Sequence, residues 1–134
     1  MKTLFEINEN LQYDRNVLDE MTEKAKSLLS TAENGEFTQA VVLYSKSGAE
    51  YSMLLKNACT KQLEDERALL NRLKNCNDTE IQYLMCMWAD NCIDIPSFAL
   101  RKMLCEVNPK NSETLIFVMT TDGVSFIKLS KTMK

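Results

Sequence analysis

The sequence predicts an α/β fold: a three-layer α/β/α sandwich in which a five-stranded mixed sheet lies between helical layers. Three observations predict it. Amphipathic stretches alternate with β-favouring runs in the order helix, strand, strand, helix, strand, helix, strand, strand. Two strand pairs are joined by short polar turns that end in glycine, the mark of a hairpin. One run near the middle is too uniformly apolar for a strand with a solvent face, which predicts a central strand covered on both sides.

The elements follow in order. From Tyr13 to about Ala32, Val17, Leu18, Met21, Ala25, Leu28 and Leu29 recur at three- and four-residue spacing among charges, which predicts a helix that Asn34-Gly35 stops. Residues 39–55 form the first hairpin, with Lys46-Ser-Gly48 as its turn. A second helix is expected from near Cys59 to Lys74, with Leu63, Ala68, Leu69, Leu70 and Leu73 on its apolar side. The run from Ile81 to Ala89 is the central strand. Pro96 stands where helix N1 prolines stand, and Phe98, Leu100, Met103, Leu104 and Val107 line the next helix until Asn108-Pro109 ends it. Thr114 to Leu129 gives a final hairpin that turns at Asp122-Gly123.

A chain of 134 residues, 45% hydrophobic and 26% charged, fits one domain spanning 1–134. The net charge of -3 argues against electrostatic binding to nucleic acid, which needs a basic stripe to displace counterions. No apolar run reaches the roughly 18 residues needed to span a bilayer, so no membrane is expected. The start, Met1 to Asn8, interrupts its apolar residues with charge before a signal-peptide core can form. The five cysteines (Cys59, Cys76, Cys86, Cys92 and Cys105) are odd in number and never spaced as C-x-x-C, so a reducing cytoplasm is the expected location. Cys86 and Cys105 read as small buried hydrophobes.

Several stretches fall where a known family has its motifs. Phe37, Ala40 to Leu43 and Lys46-Ser-Gly48 match an opening phenylalanine, small apolar residues and a glycine turn. Glu64-Asp65-Glu66-Arg67-Ala68 matches a helix start with cysteine or histidine, alanine, glutamate and arginine. Pro96-Ser97-Phe98-Ala99-Leu100-Arg101 matches a proline-cysteine-glycine-x-cysteine-arginine stretch, and no insertion or deletion is needed between Glu66 and Pro96. On these residues the chain resembles the short, single-domain, zinc-dependent cytidine deaminases over about residues 15–131. The resemblance implies the cytidine deaminase-like fold and an oligomer, because short cytidine deaminases assemble through helices that flank the active site.

The resemblance also locates what this chain lacks. Zinc deaminases activate water on an ion held by one His/Cys and two Cys, while a non-ligating glutamate moves protons. The three ligand positions here read Glu64, Ser97 and Leu100, and the chain contains no histidine. A carboxylate can bind zinc, a serine rarely does and a leucine cannot. No metal and no other cofactor is therefore expected; zinc would return only with a relocated site, for which Cys92 and Cys59 are the nearest thiols. Glu66 keeps the identity of the proton-shuttling glutamate, but without an activated water the shuttle has nothing to serve, and it reads first as an ordinary helix glutamate paired with a neighbouring arginine. With no cation nearby, the sequence predicts that Glu64 and Glu66 share a pocket and that Arg101 swings in to pair with Glu66. The family's asparagine-x-glutamate ribose readers fall on Met53 and Leu55, or on Asn57 with a one-residue slip. Phe37, Arg67, Pro96 and Arg101 complete the candidate pocket.

The function expected from these residues is that of a catalytically degenerate cytidine deaminase-like protein, a pseudoenzyme. It would serve as an oligomeric scaffold or as a regulatory or protein-interaction subunit. The partners would be copies of itself, as a dimer or tetramer, or an active deaminase in a mixed assembly. Tyr83, Trp88, Phe98 and Met103 are expected in the core, with an interface as the alternative. Two rival functions are a remodelled nucleoside or base deaminase or hydrolase that uses Glu66, and a nucleoside-binding protein without turnover.

Overall fold

The computed structural model describes residues 15–31, 38–58, 60 and 63–133. Helix α1 spans Arg15–Ser30 and buries Val17, Leu18, Met21, Ala25 and Leu29, the stripe that its three- and four-residue spacing dictates. Strands β1 (Gln39–Ser45) and β2 (Glu50–Leu55) pair antiparallel, with Gly48 at φ +92° in the turn, where a side chain would be strained. Helix α2 covers Glu64–Asn75 and β3 covers Ile81–Trp88. The remaining elements are β4 (Ile93–Asp94), α3 (Phe98–Val107), β5 (Leu115–Thr120) and β6 (Gly123–Lys128), with short 3₁₀ segments at Pro109–Glu113 and Leu129–Thr132.

The sheet runs β2-β1-β3-β5-β6, and β4 pairs with β3 off that path. β3 is the centre, antiparallel to β1 and β4 and parallel to β5, so the sheet is mixed as expected. It has six strands rather than five. The extra strand arises because Ala89-Asp90-Asn91-Cys92 folds into a tight turn: Asn91 takes φ +69° and donates its N–H to the Trp88 carbonyl at 2.8 Å. Asparagine enters the left-handed region more readily than other non-glycine residues, so the chain reverses here without a glycine.

The two faces are separate cores. Ala40, Val42, Tyr83, Met85, Met87, Phe117 and Phe126 pack under α1. Val41, Leu43, Leu55, Leu84, Cys86, Ile116 and Ile127 pack with Leu69, Leu70 and Leu73 of α2 and Leu100 and Leu104 of α3. Adjacent β1 residues thus point to opposite faces, as the pleat requires, and the structure is an α/β/α sandwich.

Two expectations for α3 need correction. Pro96 is not at N1: Ser97 is the N-cap, its hydroxyl accepting the Leu100 N–H at 3.2 Å, and Phe98 begins the helix. A serine able to bond the second or third free N–H of a helix outcompetes the proline beside it for the boundary. Phe98, expected in the core, is 57% exposed, because the first helical position faces away from the Leu100/Leu104 side. Tyr83 is in the core, stacked on Phe117 at 5.6 Å, while Trp88 and Met103 are partly buried against the other cluster.

Candidate functional site

The starts of α2 and α3 meet the same end of the sheet. β2 ends at Leu55, which lies opposite Gln39 at the start of β1, and Gln39 lies opposite Trp88 at the end of β3. The Lys56 N–H donates to Asp65 Oδ2 at 3.0 Å, fastening the first turn of α2 to the end of β2. From Trp88 the chain turns through β4 and passes buried Pro96 into α3. Glu64, Asp65 and Glu66 occupy the first turn of α2, where negative charge complements the exposed N–H groups. The N-cap, Leu63, provides no side-chain bond, so among the described residues these acids are the side-chain complement to that helix end.

Glu66 continues the buried stripe of Leu69, Leu70 and Leu73 and is 1% exposed. Its Oε2 makes no hydrogen bond. Burial raises the carboxyl above its ordinary value; its own backbone N–H opposes this, Asp65 adds to it, and Arg67 opposes it. Glu64, two positions earlier, is exposed. The expectation that Glu64 and Glu66 share a pocket therefore fails, because residues two apart on a helix point to different sides. Arg67 likewise turns away, into a groove between α2 and α3 that it lines with Leu70, Asn71 and Met103.

The expected Arg101–Glu66 pair is absent. The Arg101 guanidinium donates through Nε to the Pro96 carbonyl at 3.0 Å and through a terminal N–H to the Thr132 carbonyl at 2.8 Å. It also lies 5.7 Å from the centre of the Phe98 ring. Arg101 therefore ties the start of α3 to the last 3₁₀ segment. Met53 is half-buried and Leu55 is buried in the same core as Leu69, and neither has a hydrogen-bonding side chain. Asn57 is exposed, with its carbonyl accepting from the Thr60 hydroxyl at 2.6 Å. Phe37 lies outside the described residues.

The donor set at this corner does not fit zinc. Leu100 is fully buried and has no donor atom, the Ser97 hydroxyl is engaged in capping α3, and Glu64 faces solvent. Among the described residues no group of three His, Cys, Asp or Glu side chains is placed to hold a metal ion. Cys92 is exposed, and a bond to Asp90 raises its thiol above the ordinary value, which disfavours the thiolate a metal needs. Cys59 lies outside the described residues.

Sequence reasoning missed Gln39. Its alternation with Val41 and Leu43 places it on the α2/α3 face, where it is fully buried and neither side-chain amide atom makes a hydrogen bond. The signal was present: a glutamine beginning an otherwise apolar strand, in phase with two core residues.

No family model and no curated relative matches the sequence. Solved structures do. A cytidine deaminase from Mycobacterium leprae is 19% identical with a TM-score of 0.60, covering 81% of this chain and 92% of its own. That from Mycobacterium tuberculosis is 16% identical at TM-score 0.63, covering 89% and 93%. That from Bacillus anthracis is 12% identical at TM-score 0.67, covering 87% and 86%. Among the described residues no helix is long and apolar enough to cross a membrane. Element order, the mixed sheet and its helical layers therefore identify the fold of this chain as that of the cytidine deaminases.

Proposed function

We propose that this protein is a catalytically degenerate cytidine deaminase-like protein, its fold kept for assembly as an oligomeric scaffold or as a regulatory subunit beside an active deaminase. The observation that carries this reading is Leu100. An apolar side chain, 0% exposed and packed with Leu69 and Leu104, stands where the resemblance puts a zinc thiolate. Without an ion to acidify water, Glu66 has no nucleophile to serve, and a metal-free attack would have to recover many kcal/mol by positioning alone. Assembly as a homo-oligomer, or with an active deaminase, fits a fold whose α3 carries an exposed Phe98 beside Arg101.

The test is metal content and turnover on the same sample. Protein purified without chelator is expected to hold no stoichiometric zinc by elemental analysis and to release no ammonia from cytidine. Either stoichiometric zinc or ammonia release would refute the reading.

A further inference from the structure

A cleft opens on the other face of the sheet from Leu100, between α1 and the tip of the β5–β6 hairpin. Its volume is about 410 Å³, within the range of small-molecule sites, and its floor is made by Leu18, Met87, Ile93 and Val124. Met119 also lines it and is 48% exposed, one of two large apolar side chains among the described residues that stay open to water. Two methionines let the floor follow the shape of an apolar guest, because an unbranched thioether side chain adapts readily. The Thr22 hydroxyl on the α1 wall is spent on the Leu18 carbonyl at 2.8 Å, so polar recognition is left to the charged rim.

That rim carries both signs of charge. Arg15 and Asp19 stand one turn apart on α1, in the order base then acid, which pairs less well along a helix than the reverse. Among the described residues neither side chain makes an ion pair or a hydrogen bond, with the other or with any third group. Lys26, two turns beyond Asp19, is likewise unpaired, whereas Asp122 across the cleft is already engaged. An unpaired base and an unpaired acid about 6 Å apart along the helix, beside an apolar floor, match a guest with carboxylate and ammonium on one carbon and an apolar side chain. The planar guanidinium can take a carboxylate through two parallel bonds, and a carboxylate such as Asp19 accepts from an ammonium. A purely anionic guest would set like charge against Asp19, and a purely cationic one would do the same at Arg15.

We infer that this cleft binds a free apolar α-amino acid, with Arg15 on its carboxylate, Asp19 on its ammonium, and Met87 and Met119 against its side chain. The inference goes beyond the metal-free reading and does not depend on it, the two places being on opposite faces of the sheet. The test uses the full chain with carbon-13 in its methionine methyl groups. Of eight methionines, Met87 and Met119 line the cleft, while Met53 and Met103 pack on the other face. L-Leucine or L-phenylalanine is expected to shift the Met87 and Met119 signals to saturation, with those of Met53 and Met103 unmoved; M87L and M119L assign the signals by their loss. Leucine without its ammonium, 4-methylpentanoate, and leucine without its carboxylate, 3-methylbutylamine, should each bind roughly tenfold more weakly or worse. Glycine, which has no side chain, should leave every signal in place. D19N alters an exposed position, so the chain should fold as before, bind leucine roughly tenfold more weakly and bind 4-methylpentanoate no less well. No shift with either amino acid, movement of all methionine signals together, equal binding of the amine or of the acid, or leucine binding unchanged in D19N would overturn the inference.

Discussion

At Glu66, burial and the helix terminus pull one carboxyl in opposite directions, and burial wins. A carboxyl whose folded pKa lies above its unfolded value of 4.5 contributes stability that is fully present below 4.5. That contribution is lost as the pH rises through the folded value. The variant E66Q carries the same shape without the titration. Its melting temperature is therefore expected to rise relative to the parent as the pH increases from 4.5 towards neutrality; a constant difference across that range would show that Glu66 is not penalised by burial. The sequence placed Glu66 in a pocket shared with Glu64, whereas its burial comes from heading a stripe at i, i+3, i+4 and i+7 with Leu69, Leu70 and Leu73. The Pro96 and Thr132 carbonyls that Arg101 binds were not legible in the sequence, because a backbone carbonyl is carried by every residue and no side-chain pattern reveals it. The opposite case is Asp78, where burial pushes the carboxyl up but bonds from Ser47, Tyr51 and Ser45 outweigh it and hold it below its ordinary value. The same bond pushes Tyr51 up to about 12.

Among elements, the long periodic ones were readable and the short ones were not. The stripe of α1 follows from spacing, the two hairpins from β-favouring runs around glycine turns, and the doubly covered β3 from an unbroken apolar run. β4 is only two residues long and is reached through a turn whose left-handed residue is an asparagine, so neither periodicity nor glycine marked it. The junction after α3 depends on another residue with no periodic signature, Asn111. It is fully buried; its side-chain nitrogen donates to the carbonyls of Thr79 at 2.8 Å and Leu104 at 2.9 Å, and its oxygen accepts the Ile81 N–H at 2.8 Å. One side chain thus joins the entry to β3, the end of α3 and the 3₁₀ segment between α3 and β5. N111A would strip the Ile81 N–H and the Thr79 carbonyl of this partner and leave the Leu104 carbonyl with only its bond from the Asn108 N–H, and is expected to cost roughly 2–4 kcal/mol in denaturant unfolding. A loss under about 1 kcal/mol, the worth of an ordinary hydrogen bond, would mean that other groups replace it.

For the whole molecule, the layering was legible because each face of the sheet has its own apolar set, while the chemistry of the corner was legible only through a resemblance. Composition could not say that the Ser97 hydroxyl is already engaged or that Gln39 faces inward. Assembly belongs to this scale. Phe98 is one of two large apolar side chains among the described residues that are well exposed, the other being Met119. If the α3 start is an interface, the 15.4 kDa chain should elute from a sizing column as a dimer or larger, and F98E should elute as a monomer. A parent that is itself monomeric at micromolar concentration would remove the oligomer from the proposal.

The central sheet also contains a seam. β1 and β3 align along almost their full length, whereas β3 and β5 are in register at only two positions, Tyr83 with Leu115 and Leu84 with Ile116. The β5–β6 hairpin is thus joined to the backbone ladder over a short parallel stretch, across a connection that contains α3, and is otherwise held by its side chains in the two cores. On this register the last hairpin is expected to dock after the first three strands, and the join between β3 and β5 is expected to be where the backbone ladder opens first.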